Sequence, residues 1–337
     1  MKRLFFLLFS VAVCSVKAQD IHFSQFFASP LTLNPALTGN FDGNIRVAGN
    51  YRNQWPSIQR AFTTSTLSVD FPILTNRLPE NDRMAIGIMG YTDKQADGAL
   101  KNNFGSLSIA YHKGLDEEGY NRLSIGFQGV YCAKLLDVTN LKFENQLASD
   151  GFTLPRTESF ASDQINIGYF DLNAGVTYSG TTQNNTNYYL GASVYHLVKP
   201  KETFKGGQFN LNQRYTVHGG VYFPINSQLM LHTSALYQNQ ANAHETVFGA
   251  ALGYTLGSEY TSGGEGATTV YVGSWYRFSD ALVPYLGLEY NKFRLGVTYD
   301  VTMSSLKSVN QARGGFEISL IYVSKPSTDK STPCPKF

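Results

Sequence analysis

From Asn44 almost to the carboxy-terminal end, apolar and polar residues alternate with a period of two rather than 3.6. Ile45, Val47, Gly49 and Tyr51 alternate with Arg46, Ala48, Asn50 and Arg52. Leu123, Ile125, Phe127 and Tyr131 alternate with Arg122, Ser124, Gly126 and Gln128. Phe170, Leu172, Ala174, Val176 and Tyr178 oppose Asp171, Asn173, Gly175 and Thr177. Phe293, Leu295, Val297, Tyr299 and Val301 oppose Arg294, Gly296, Thr298 and Asp300. Each run is about ten residues long, which suits a tilted strand crossing a bilayer; strands of soluble sandwiches average nearer ~5–6. The pattern predicts strands at 44–55, 61–71, 83–94, 103–113, 120–132, 168–179, 186–197, 213–223, 228–238, 245–256, 268–278, 281–290, 292–302 and 313–323. These are fourteen, an even number, as bacterial single-chain barrels have. The expected fold is therefore all-β: a transmembrane outer-membrane antiparallel β-barrel over 44–323, with no second folded domain.

The ends read differently. Met1 to Ala18 has the form of a secretory signal: Lys2 and Arg3, an apolar run, and Val16-Lys17-Ala18 as cleavage site. A lipoprotein signal ending at Cys14 is the rival, disfavoured by bulky Val13. Residues 19–43 form an amino-terminal periplasmic or plug segment, and 324–337 a periplasmic tail. If the first strand starts on the periplasmic side, the two longest gaps, Ala133 to Ile167 and Val198 to Asn212, face outward. Cys132 and Cys334 then lie on opposite sides of an apolar band ~25 Å tall, too far apart for a disulfide.

Composition narrows the function. Charged residues make up 15%, against about 25% in average soluble domains. Aromatics reach 14%, and Tyr51, Trp55, Phe71, Tyr111, Tyr131, Tyr178, Tyr188, Phe223, Tyr254, Tyr290, Tyr299 and Tyr322 sit toward strand ends, as interfacial girdles require. A net charge of +2 gives no reason to expect nucleic acid. The mature chain has no run of about 20 apolar residues, which excludes a bundle of membrane helices.

The segment Gln19 to Gly39 reads QDIHFSQFFASPLTLNPALTG. Pro30, Pro35 and pre-proline Asn34 predict an extended, kinked path. Its Phe23-Ser24-Gln25-Phe26, Pro30-Leu31, Asn34-Pro35-Ala36 and Gly39, followed by Arg46 and Tyr51 to Trp55, resemble the PorP/SprF family, as does the ending Cys334-Pro335-Lys336-Phe337. That resemblance implies an outer-membrane component of the type IX secretion system, associated with gliding motility, that binds, translocates or anchors a secreted, adhesin-like surface protein. The partners implied are a secreted protein with a C-terminal sorting domain and periplasmic or outer-membrane secretion components, besides the lipid bilayer. Catalysis and cofactors are not implied. Candidate partner-binding residues are Phe23, Ser24, Gln25, Phe26, Pro30, Leu31, Asn34, Pro35 and Gly39. Their apolar members need covering, and lining the lumen, plugging it or holding a periplasmic partner would each provide it.

Two other classes of function are open. A solute channel of similar strand number would share the barrel pattern. A hydrolase would need a nucleophile and base brought together, and His218 and His232 on adjacent strands are the candidate pair. No His-Glu-x-x-His spacing occurs, and Gly263 to Gly266 precedes no helix, so metal and phosphate sites lack a motif. Arg46, Arg52, Arg122, Asp171, Asn173, Arg294, Asp300 and Glu317 fall on the inward face. Their mixed signs predict ion-paired networks and a filled lumen.

Overall fold

The computed structural model describes residue 20 and residues 22–57, 62–75, 77–160, 162–204, 209–256 and 268–324. The signal sequence with Cys14, the glycine run 263–266 and the tail with Cys334 lie outside the described residues. Fourteen strands form one closed barrel: β1 (Ile45–Gln54), β2 (Phe62–Ile73), β3 (Arg83–Gln95), β4 (Leu100–Gly114), β5 (Asn121–Asp137), β6 (Gln164–Thr181), β7 (Asn187–Tyr195), β8 (Arg214–Pro224), β9 (Leu229–Gln240), β10 (Ala243–Leu256), β11 (Thr268–Arg277), β12 (Ala281–Tyr290), β13 (Phe293–Thr302) and β14 (Arg313–Ser324). Each strand pairs antiparallel with its sequence neighbours, and β1 meets β14 in register from Ile45↔Ser324 to Gln54↔Gly315. Closure leaves no strand edge unpaired, as a sheet surrounded by lipid requires.

The alternation maps onto the two faces of the wall. In β1 the inward Arg46, Ala48, Asn50 and Arg52 are buried, while Tyr51 on the other face is exposed. Leu67, Ile88, Leu107, Phe127, Leu190, Leu252, Leu286 and Leu320 stand exposed on the outside and form the apolar belt. The inside carries the charges, where they do not meet lipid; Arg or Lys at mid-depth on the lipid face would cost ~2–4 kcal/mol.

Three strands run four or more residues longer than their pattern predicted. β4, β5 and β6 have 15, 17 and 18 residues. The period fades in their extensions because Leu135 and Leu136 pair with Asn166 and Ile165, apolar side chains now occurring on both faces. Cys132, expected at a strand end, is therefore internal to β5, and it is buried with a free thiol. The long connections 138–163 and 196–213 leave one rim, called here the loop rim. The first carries a small hairpin of Leu147–Ala148 and Gly151–Phe152. The opposite, turn rim is where β1 begins.

The amino-terminal segment lies inside the barrel. Asp20 is hydrogen-bonded to Gln240 and His196 at the loop rim, while Gly39 meets Asp70, and Arg83 reaches the Gly39 and Phe41 carbonyls near the turn rim. Residues 22–41 thus run the length of the lumen before the chain turns into β1. The expected extended path is corrected in part. Three short helical turns, Phe26–Ala28, Pro30–Leu33 and Pro35–Leu37, follow one another, and Pro30 and Pro35 occupy first-turn positions where a missing N–H costs nothing. Asn34 between them is extended, as a residue before proline should be, and its side chain caps Ala36 N–H at 2.9 Å.

Candidate functional site

The candidate site is the contact between this segment and the inner wall. All nine residues singled out in the sequence, Phe23, Ser24, Gln25, Phe26, Pro30, Leu31, Asn34, Pro35 and Gly39, are buried in the lumen. At the β13–β14 side, the Ser24 and Gln25 backbone N–H groups donate to the Glu317 carboxylate at 2.9 and 2.8 Å. The Ser24 hydroxyl reaches Asp300 at 2.8 Å, and Gln25 is fixed by Ser319 and Thr298. Across the barrel, the Asn34 amide donates to the Val176 and Ala192 carbonyls, each at 3.1 Å, and lies 3.0 Å from His218 Nε2. Gln128 and Ser193 donate to the carbonyls of Leu31 and Leu33 at 3.1 and 2.8 Å. Main-chain polar groups that a lumen without water would strand are thus satisfied by the wall.

Charge closes both ends. Arg46 forms two bonds to Asp70, 3.0 Å from Nε and 2.7 Å from Nη2, and also donates to the Leu37 carbonyl at 2.8 Å. Asp70 accepts Gly39 N–H at 2.6 Å as well. Toward the loop rim, Asp300 is shared by Arg52 and Arg277 at 3.1 and 3.0 Å, and Arg277 also pairs with Glu245. The inward ion-pair networks expected from mixed signs are present, and they include segment atoms. His196, in the connection after β7, lies 2.5 Å from Asp171 through Nδ1 and 2.6 Å from Asp20 through Nε2. Both ring nitrogens face carboxylates, so both donate and the ring is cationic. Burial by itself would lower its pKa, but Asp20 and Asp171 outweigh that and push it up to about 9. Burial likewise opposes ionisation of Asp20, yet His196 and Arg214 hold its carboxyl well below the usual range.

Packing supplies the rest. Phe27 sits among Trp275, His232 and Tyr285, with ring centroids 4.8, 5.3 and 5.6 Å away. His232 stacks on Tyr222 at 4.1 Å, its register partner, while His218 pairs with Leu236. The two histidines therefore do not meet; each serves the segment. Small residues let the segment approach the wall. A Cβ on inward-facing Gly126 would lie 2.4 Å from the Pro35 backbone, and one on Gly175 would lie 1.9 Å from the Asn34 side chain. Asp20 and these glycines were not singled out in the sequence, and Phe27 only as an apolar residue needing cover. Inward glycines among polar residues were a usable sign, because a wall position without a side chain marks close backbone approach.

Above the segment, on the loop-rim side, lies a chamber with about 560 Å³ of empty space, its mouth included. Phe23, Tyr91, Phe104, Tyr169, Tyr195, Asp20, His196 and Arg214 are among its lining residues.

A family model described as type IX secretion system membrane protein PorP/SprF matches residues 15–322. Among solved structures, a Pseudomonas aeruginosa FadL homologue aligns at 11% identity, covering 86% of this chain and 92% of that one, with a TM-score of 0.48. The Ralstonia pickettii toluene transporter TbuX aligns at 9% identity over 87% and 92%, with a TM-score of 0.48. The monoaromatic hydrocarbon channel CymD aligns at 11% over 89% and 94%, with a TM-score of 0.45. No curated relative matches the sequence.

Proposed function

Since the chain belongs to the PorP/SprF family of type IX secretion system membrane proteins and is an outer-membrane β-barrel, we propose that it serves that system by binding, translocating or anchoring a secreted surface protein. The family is generally non-enzymatic, and the work assigned here is holding, not catalysis. The partner is an adhesin-like protein with a C-terminal sorting domain, used in gliding, and periplasmic or outer-membrane secretion components assemble on the same barrel. A signal removed after Ala18 delivers the chain to the envelope. The observation that carries this reading is the occupied lumen: Gln25, Phe26, Leu31, Asn34 and Leu37 are all buried between the walls. A barrel filled by its own chain is poorly suited to passing solutes and well suited to presenting fixed surfaces. Segment residues Phe23 to Gly39 reach a partner only where they leave the wall, so in the resting state the rims make the first contact.

The test is a pull-down from gently solubilised outer membranes, comparing the intact chain with one lacking Asp20 to Gly39. Recovery of a secreted protein bearing a C-terminal sorting domain, or of secretion-system components, is expected with the intact chain. Loss of that partner in a truncated but folded barrel would assign the contact to the segment. Recovery of lipid and the barrel alone would favour the solute channel instead.

A further inference from the structure

The lumen of such a barrel is normally polar; the inward aromatic cluster of Trp275 and Tyr285 is covered by Phe27, whereas the apolar wall of the chamber is not covered by the segment in the same way. Met89, Tyr91, Phe104, Val130 and Tyr169 occupy successive inward places on β3 to β6, where Asp93, Asn102, Gln128 and Asp171 beside them are polar. Tyr91 and Phe104 stack face to face at 4.0 Å and present a flat aromatic surface. An apolar wall facing a wet space is unfavourable unless something covers it.

The opposite wall holds a donor with spare capacity. Arg214 is only 7% exposed, and its guanidinium lies 4.0 Å above the Tyr195 ring. It donates to the Thr32 carbonyl at 3.2 Å, is hydrogen-bonded to Tyr195, and approaches Asp20 at a long 3.5 Å. Its Nε has no hydrogen-bond partner among the described residues. A buried donor left unpaired is destabilising, and an acceptor would relieve it. The polar neighbours are engaged elsewhere: Gln128 with Leu31 and Ser106, and Asn173 with Gln128. Charge limits the ligand further. Asp20 and Asp171 balance His196 and Arg214, so an added carboxylate would leave an uncompensated buried charge.

We propose that the chamber is a binding site for an uncharged group with an aromatic or compact apolar body and one hydrogen-bond acceptor. The body lies on Tyr91, Phe104, Met89 and Val130, and the acceptor faces Arg214. A free small molecule and the side chain plus amide of an incoming polypeptide share this chemistry. The site stands independently of the carrier role, since it rests on the chamber alone.

The experiment uses the full chain in lipid nanodiscs, with saturation-transfer NMR on benzamide as the small-molecule probe and N-acetyl-phenylalaninamide as the polypeptide probe. Binding of either is expected, and whichever binds identifies the source. Benzoate should bind at least tenfold more weakly than benzamide. Val130→Trp, which fills the space, should abolish binding, and Arg214→Leu should weaken it at least tenfold. Phe170→Ala, exposed on the lipid face, should leave it unchanged. Because Arg214 also touches the segment, Met89→Trp is the second filling variant, and heat-modifiable migration on gels verifies that each barrel is folded. No transfer with either probe, or equal transfer in Val130→Trp and in empty nanodiscs, would overturn the proposal.

Discussion

Asp70 shows how much one inward carboxylate holds. It accepts two bonds from Arg46 and one from Gly39 N–H, so it ties β1, β2 and the end of the segment together. Replacing one partner of a buried pair leaves the other uncompensated, at a cost of about 3–5 kcal/mol. Asp70→Asn should therefore lower the urea midpoint of the detergent-solubilised barrel and expose the segment to protease; an unchanged midpoint and cleavage pattern would refute this. At the other end, the Asp20–His196 contact makes docking pH-dependent. His196 has a folded pKa pushed up to about 9, above its ordinary 6.5, so its contribution is complete below about 6.5 and is lost as pH rises through about 9. With the intrinsic base-catalysed rate divided out, the protection of amides near residue 20 should fall between pH 8 and 10. His196→Gln should flatten that protection profile, and a wild-type protection profile without the fall would count against the latch.

The strands were legible because two constraints recur at every crossing: lipid outside demands apolar side chains and the lumen tolerates polar ones. That alternation located all fourteen, and it lost the ends of β4 to β6 where Leu135, Leu136, Ile165 and Ile167 made both faces apolar. The segment was legible only by its need for cover. Its helical turns are three or four residues long, too short for any period, and its partners lie far away in sequence. Asn34 meets Val176 across 142 positions and Gln25 meets Ser319 across 294, which no local pattern encodes. Gly126 tests the docking without disturbing the ladder. Gly126→Val keeps an extended backbone but places its side chain on Pro35, where a Cβ would be 2.4 Å away. The segment should become protease-sensitive while the barrel keeps its heat-modifiable migration. A variant as protected as the parent would mean that the wall yields and the groove is not what seats the segment.

Taken whole, the molecule is a sheet closed on itself, apolar toward lipid, and filled by the chain that precedes its first strand. Aromatic packing around Phe27, ion pairs at both ends and hydrogen bonds from most of the wall hold that filling in one place. Under the proposed role, such a body would limit leakage across the bilayer and leave both rims to proteins. A channel with the same strand number would need the lumen cleared. Single-barrel conductance in planar bilayers separates the two most directly. The intact chain should be nearly silent, and the chain lacking Asp20 to Gly39 should open steady steps of current. Steady, plug-independent steps from the intact chain would contradict the closed lumen and, with it, the carrier reading.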